Sequence, residues 1–328
     1  MARTTTVTLV LCTLLFITFC VSISVGDFPI PLRDVIPAIF GHGSDDSEFI
    51  VRTLRLPRAL TGMLVGVSFG ISGAIFQSLA RNPLASPDII GIDAGASAAA
   101  VFCIVVLHTG AGATAAGALA GALAAAFAIY LLAWKQGVSP YRLVLVGIGI
   151  AALLASVTQS LLTRAEIFEA QRAVVWLTGS LNGRGWEHVR TVGLACVVLI
   201  PIVVVLLAPL RVLQLGDDSA RGLGVAVERS RLALVIVGVA LAALATAAAG
   251  PVIFVAFVAA PIARRLTHSP LAVGTAALLG ALIMLLSDLV ARRAFAPTEL
   301  PVGVVTGIVG APYLLWLLAR SNRVGRGG

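Results

Sequence analysis

The sequence predicts an all-α, polytopic membrane protein with about ten transmembrane helices and both termini in the cytoplasm. Three observations carry that expectation. The 328 residues are 59% hydrophobic and only 12% charged, with a mean hydropathy of +1.03, too little polar surface for a soluble domain of this size. The apolar stretches run for about twenty residues, the length of a helix crossing a bilayer, rather than the alternating ten of a membrane β-strand. The basic residues gather in short segments between those stretches, as loops on the cytoplasmic side do.

The candidate helices fall at 7–25, 58–79, 89–107, 112–134, 143–162, 191–210, 230–249, 251–266, 271–291 and 301–319. The first follows Arg3 and has no A-x-A cleavage pattern, so it reads as a span and not as a signal peptide. The eighth is short for a bilayer of about 30 Å. It opens at Gly250-Pro251, and proline suits a first helical turn. The segments 26–57 and 163–190 are each long enough for a short amphipathic helix on the membrane surface.

Orientation follows from charge. With the N-terminus inside, the segments 135–142, 211–231 and 264–265 are strongly basic, whereas 108–112 has no charge. Lys135 is the only lysine among 23 basic residues. The net charge of +8 therefore fits cytoplasmic loops, and nucleic acid is not an expected partner.

Small residues recur every fourth position. Gly62, Gly66 and Gly70, continued by Ala74 and Ser78, form one ridge. Gly117, Gly121 and Ala125 form another, and Gly303, Gly307 and Ala311 a third. Helices in lipid associate through close backbone approach, so these ridges predict packing seams. Ionisable residues inside the spans are scarce. Asp93 is expected to cap the third helix, and Asp288 to pair with Arg292 one turn on. That scarcity argues against an ion-coupled carrier, which keeps ionisable groups near the midplane.

Catalytic signatures are missing as well. There is no HExxH, and the single lysine follows Trp134, which excludes a P-loop. Any ATP would be used by a separate subunit, and the sequence implies no bound cofactor. The cysteines and histidines are scattered at spacings that suit no metal.

The most polar interruption is QSLARNPLASPDIIGIDAGA, residues 77–96. Arg81 marks it as cytoplasmic. Pro83 and Pro87 are expected to end the second helix and stiffen the turn before the third.

Several segments then occur in a fixed order: RLPR at 55–58, GAIFQSLARNPLASP at 73–87, GIDAGA at 91–96, WLTGSL at 176–181, LGDDSARGLG at 215–224, GPVIFVAFVAAPIARR at 250–265 and ELPVGVVTGIVGAP at 299–312. In these the chain closely resembles the FecCD family of ABC-importer permeases, over about residues 50–318. The resemblance implies a type II ABC-importer permease fold, a second permease subunit beside it (the same or different), a cytoplasmic ABC ATPase dimer and an extracytoplasmic substrate-binding protein. It also implies an inverted relation between spans 2–5 and 7–10. The cargo would be a metal chelate, most often a ferric siderophore, with cobalamin or haem as the alternative within the family. An ion-coupled secondary transporter is the alternative from another class. The setting would be a bacterial cytoplasmic membrane.

The resemblance assigns contact with the ATPase to Leu215, Gly216, Asp217, Asp218 and Ser219 and onward through Ala220, Arg221, Gly222, Leu223 and Gly224. Physically, Gly216 breaks the preceding run, Asp217, Asp218 and Ser219 suit a first helical turn, and Gly222 and Gly224 allow a sharp exit. The resemblance assigns docking of the binding protein to Arg55, Arg58 and Arg292, where arginine offers bidentate pairing to carboxylates. Family members often carry Pro-His where this chain has Pro261-Ile262, so no role of that histidine transfers.

Overall fold

The computed structural model describes residues 2–26, 28–134 and 140–324. Lys135 and Arg326 lie outside the described residues. Helices form along all ten apolar runs. They are α1 (Ala2–Ser24), α4 (Leu56–Ala80), α5 (Ile92–Val105), α6 (Ala111–Ala133), α7 (Pro140–Thr163), α9 (Trp186–Leu213), α11 (Val227–Ala249), α12 (Val255–Thr267), α13 (Val273–Arg293) and α14 (Val302–Val324). Between them lie α2 (Leu32–Ile39), α3 (Asp45–Phe49), α8 (Ile167–Leu177) and α10 (Asp217–Gly222). A π-helical turn, Ile50–Arg55, runs directly into α4. Among the described residues, seven helices are long and apolar enough to cross a membrane, while α5 and the apolar part of α14 are shorter.

Burial separates two classes of helix. The most apolar window of α4 is 78% buried and that of α11 is 72%, against 17% for α7 and for α9. Helices that are apolar all round and yet exposed need lipid or another subunit around them. The buried α4 and α11 form the centre, with α13 and α12 packed on α4 and with α6 and α5 packed on α11.

Glycine sets the spacing of that centre. A Cβ on Gly66 would lie 2.4 Å from the Gly280 carbonyl oxygen, and one on Gly280 would lie 2.1 Å from that of Gly66. Gly70 meets the Ala276 carbonyl in the same way, at 2.3 Å. Gly62 faces side chains instead, with Leu181 at 2.8 Å and Leu285 at 3.6 Å. The ridge on α4 therefore lies against the backbone of α13 over two turns and then opens to admit leucines. Gly95 and Gly121 bring α5 and α6 together likewise, each within 2.5 Å of the other's carbonyl.

The helix pairings have an internal symmetry. Exchanging α4–α7 with α11–α14 turns the α4–α13 pair into α11–α6, α5–α6 into α12–α13, α5–α7 into α12–α14 and α4–α12 into α11–α5; every one of these pairs is in contact, and α4 packs on α11 itself. The halves run in opposite senses. The start of α11 lies beside the end of α4, because Arg231 and Arg81 both approach Asp217.

Three expectations need correction. The eighth helix does not begin at Pro251. Residues 250–254 are non-helical, with left-handed backbone at Gly250 (φ 77°) and Phe254 (φ 69°), and α12 starts only at Val255. Asp93 does not cap α5. Gly91 occupies that position with φ 98°, and the buried Asp93 carboxylate accepts a bond of 2.7 Å from the Thr246 hydroxyl of α11. The prolines do not stop α4 either. Arg81 ends it in a left-handed conformation (φ 49°), two residues before Pro83.

Candidate functional site: two charged ends of one bundle

The charged side chains collect at opposite ends of the bundle. At one end stand the start of α1, the ends of α4 and α12, and α10. Arg3 Nε donates to the Leu266 carbonyl oxygen at 2.9 Å, which fixes the start of α1 beside the end of α12. Arg264 of α12 donates to Gln77 Oε1 of α4, and Gln77 Nε2 donates to the Phe257 carbonyl oxygen at 3.0 Å. Arg265 lies over the Trp316 ring, 4.3 Å from its centre, a cation–π contact. Ile262, in the position where relatives in the resembled family often carry histidine, packs against the apolar core.

The stretch Leu215–Gly224 lies at this end. Gly216 precedes α10 with φ 107°, a conformation that a side chain would strain. Asp217 and Asp218 occupy the first turn of α10. Asp217 accepts from Arg231 Nη2 at 2.8 and 2.9 Å, and Arg81 lies 3.9 Å from the same carboxylate. Arg221 reaches Asp218 at 3.2 Å and Glu228 at 3.8 Å. Ala220 is buried, whereas Leu215 and Leu223 are each 64% exposed. The exit is made by Gly224, at φ 79°. Gly222 is the last residue of α10 and has no left-handed backbone, so it does not supply the bend expected of it. A short helix is thus clamped by ion pairs to the ends of α4 and α11, with Ser219 exposed beside its two outward leucines.

At the other end, the three arginines expected at a docking surface point into the chain. Arg55 is only 8% exposed. It donates to the carbonyl oxygens of Ile23 at 2.9 Å, Ser24 at 3.0 Å and Phe28 at 2.6 Å, tying the π-helical turn to the end of α1. Arg58 donates to Asp288 from Nε at 3.1 Å and from Nη2 at 2.9 Å, and from Nη1 to Glu299 at 2.9 Å. Arg292 Nε lies 3.1 Å from the other oxygen of Asp288. Its Nη2 donates to the Ser22 hydroxyl at 2.7 Å. The pairing of Asp288 with Arg292 was legible from their spacing; the second partner, Arg58, was not. Arg293, one residue on, is exposed. A recess of about 450 Å³ borders this network, lined by Arg55, Arg58, Arg184, Arg292, Arg293 and Glu299 among others.

One more charged group lies between the ends of helices. Asp88, in the turn after α4, receives the Phe254 N–H at 3.5 Å. Burial pushes its carboxyl above the usual range, against a smaller opposing effect of the Ser86 hydroxyl and nearby backbone N–H groups.

A bundle of apolar helices arranged as two inverted halves, carrying separate charged surfaces at its two ends, defines a multi-pass membrane protein of the permease class. The sequence model of the FecCD transport family matches residues 14–320. The ferric enterobactin transport system permease protein FepG of Escherichia coli K12 is 40% identical over 299 residues, 91% of each chain. The achromobactin transport system permease protein CbrC of Dickeya dadantii is 42% identical, over 92% of this chain and 87% of that one. A cobalamin import system permease protein, BtuC of Halobacterium salinarum, is 35% identical over 92% of this chain and 82% of its own. Among solved structures, an inward-facing metal-chelate type ABC transporter superposes with a TM-score of 0.85 at 25% identity, covering 94% of this chain and 97% of that one. The chain belongs to the FecCD transport family.

Proposed function

We propose that this chain is the permease subunit of an ATP-driven importer in a bacterial cytoplasmic membrane, and that its cargo is a ferric siderophore. Similarity over 91% and 92% of this chain to permeases of ferric enterobactin and achromobactin transport systems carries the reading of the cargo. The clamped helix α10 supports the mechanism. A partner ATPase dimer pressing on Leu215 and Leu223 would move α10, and the ion pairs of Asp217 with Arg231 and Arg81 pass that displacement to α11 and α4 at the centre of the bundle. ATP hydrolysis belongs to the partner, and this chain converts its motion into alternating access. A second permease subunit completes the pathway.

The opposite end receives an extracytoplasmic binding protein. Arg55, Arg58 and Arg292 hold that rim from within, and the docking contact itself falls on exposed neighbours such as Arg293.

The test is uptake of labelled iron in a strain lacking this gene. Loss of ferric siderophore uptake, restored by the gene only together with its ATPase, is the expected result. Restored uptake of cobalamin alone would replace the siderophore reading, which the 35% identity to a cobalamin permease makes the second choice. Uptake that persists without the ATPase would overturn the importer reading in favour of a gradient-driven carrier.

A further inference from the structure

A second recess opens beside the arginine network. It has a volume of about 920 Å³ and lies between α5, α6, α8 and the segment 180–184. Arg172, Arg184, Gln171 and Asn182 supply polar groups to its wall, and Phe168 and Trp176 supply aromatic faces. This volume is near the upper end of the usual range for small-molecule sites, about 300–1,000 Å³.

The charge in this recess is unbalanced. The one carboxylate in its lining, Glu299, already accepts from Arg58 at 2.9 Å. Arg184 donates from Nε to the Ser180 carbonyl oxygen at 3.2 Å, and its Nη1 lies 3.2 Å from His188 Nε2. Arg172 Nη2 donates to the Thr109 carbonyl oxygen at 3.1 Å. Among the described residues, neither arginine has a carboxylate within ion-pair distance. The acids nearest in sequence are engaged elsewhere. Glu169 meets His108 at 2.9 Å, and the exposed Glu187 lies 3.4 Å from His188. Burial lowers the basicity of Arg184, and the charge of Glu187 offsets this only in part. A partly buried guanidinium without a counter-ion is an unfavourable arrangement that an entering anion relieves, and its planar donors match paired oxygens.

We propose that this recess is a cargo site in the permease and that it selects polyanionic ferric chelates, those built from carboxylate or catecholate oxygens, over uncharged trihydroxamate chelates. Arg172 and Arg184 supply the charge. Phe168 and Trp176 supply flat faces for the organic shell. The inference rests on the importer reading above and adds the charge class of the cargo.

The test uses the full-length permease with its ATPase in nanodiscs, without a binding protein, so that selection by the permease alone is read. Equilibrium dialysis would compare iron-labelled ferric citrate and a ferric tris-catecholate with an uncharged ferric trihydroxamate. The expected result is tighter, salt-sensitive binding of the two anions. It weakens at least about tenfold in the R172Q/R184Q variant, in line with loss of charge-assisted hydrogen bonds, and recovers in part in R172Q/R184K. Co-purification of the ATPase with each variant reports that the fold is kept. Equal binding of anions and trihydroxamate, or wild-type binding by R172Q/R184Q, overturns the charge selection and leaves the importer reading intact. The importer reading is judged separately by the uptake experiment in the deletion strain.

Discussion

Arg58 of α4 grips one oxygen of Asp288 of α13 with two nitrogens, at 2.9 and 3.1 Å, while Arg292 stands 3.1 Å from the other oxygen. The aspartate side chain is 1% exposed and the two arginines 13% and 9%. One buried carboxylate therefore compensates two guanidinia at the junction of the central helices. Removing one member of a buried ion cluster leaves the others uncompensated. D288N is expected to destabilise the protein by about 3 kcal/mol, read as a lower midpoint in thermal unfolding in detergent. E299Q touches the same arginine from a side chain that is 34% exposed, and its expected cost is under about 1 kcal/mol. Equal effects of the two variants would show that Asp288 is not the keystone of this cluster.

The seam between α4 and α13 gives a steric prediction. G66A places a methyl group 2.4 Å from the Gly280 carbonyl oxygen, and neither backbone can yield without moving its helix. The expected loss is about 1–3 kcal/mol, as for overpacking generally. G274A, on α13 where a Cβ would meet nothing within 4 Å, is the matched control and should be neutral or slightly stabilising. Thermal unfolding of the two variants side by side decides the matter.

The clamp on α10 predicts a separation of binding from coupling. D217A removes the ion pairs of Asp217 with Arg231 and Arg81 but leaves Leu215 and Leu223 in place. The ATPase should still co-purify with this variant, while cargo-stimulated ATP hydrolysis falls at least about fivefold, as expected when a coupling of 1–3 kcal/mol is lost. L215E/L223E should instead abolish co-purification. If D217A alone releases the ATPase, the ion pairs hold the shape of the docking surface and are not its transmission.

Asp88 predicts a pH dependence. Its folded-state carboxyl titrates above the ordinary range because it is buried. The folded protein therefore binds this proton more tightly than the unfolded chain. The resulting stabilisation is full at low pH and fades as pH rises through the folded value. Asp93 is the titratable group coupled to Asp88, while the Ser86 hydroxyl and Phe254 N–H oppose the shift. As pH rises upward from the ordinary carboxylate range, wild-type protein should lose more thermal stability than D88N does. Parallel pH profiles for the two would refute the assignment.

The helices were legible because each needs a run of apolar residues of membrane length, and such runs are local features. Their ends were less so. Gly91 and Arg81 set two of them through left-handed backbone, which sequence patterns such as the Pro83 and Pro87 pair only approximate. Contacts one helical turn apart, such as Asp288 with Arg292, follow from periodicity. Thr246 with Asp93 and Arg58 with Asp288 join residues 153 and 230 positions apart, and no local pattern reports such distances. The inward turn of Arg55 was hidden for the same reason, since its acceptors lie on the end of α1. Arg172 and Arg184 carry no local sequence signal, and only the fold brings them to one recess.

The broken stretch ahead of α12 bears on how the chain is assembled. Thirteen residues of helix rise only about 20 Å, and Arg264 and Arg265 stand near the end of α12. Such a segment gains too little from lipid to partition into a bilayer on its own. Its entry depends on protein surfaces already in place: the Gln77 side chain that binds the Phe257 carbonyl, and the Ala256 carbonyl against Gly73, only 1.9 Å from where a Cβ would stand. The expected consequence is that α12 enters the membrane only against α4, which would act as an internal template. A substitution at Gly73 would then act first on the yield of inserted protein and only afterwards on transport.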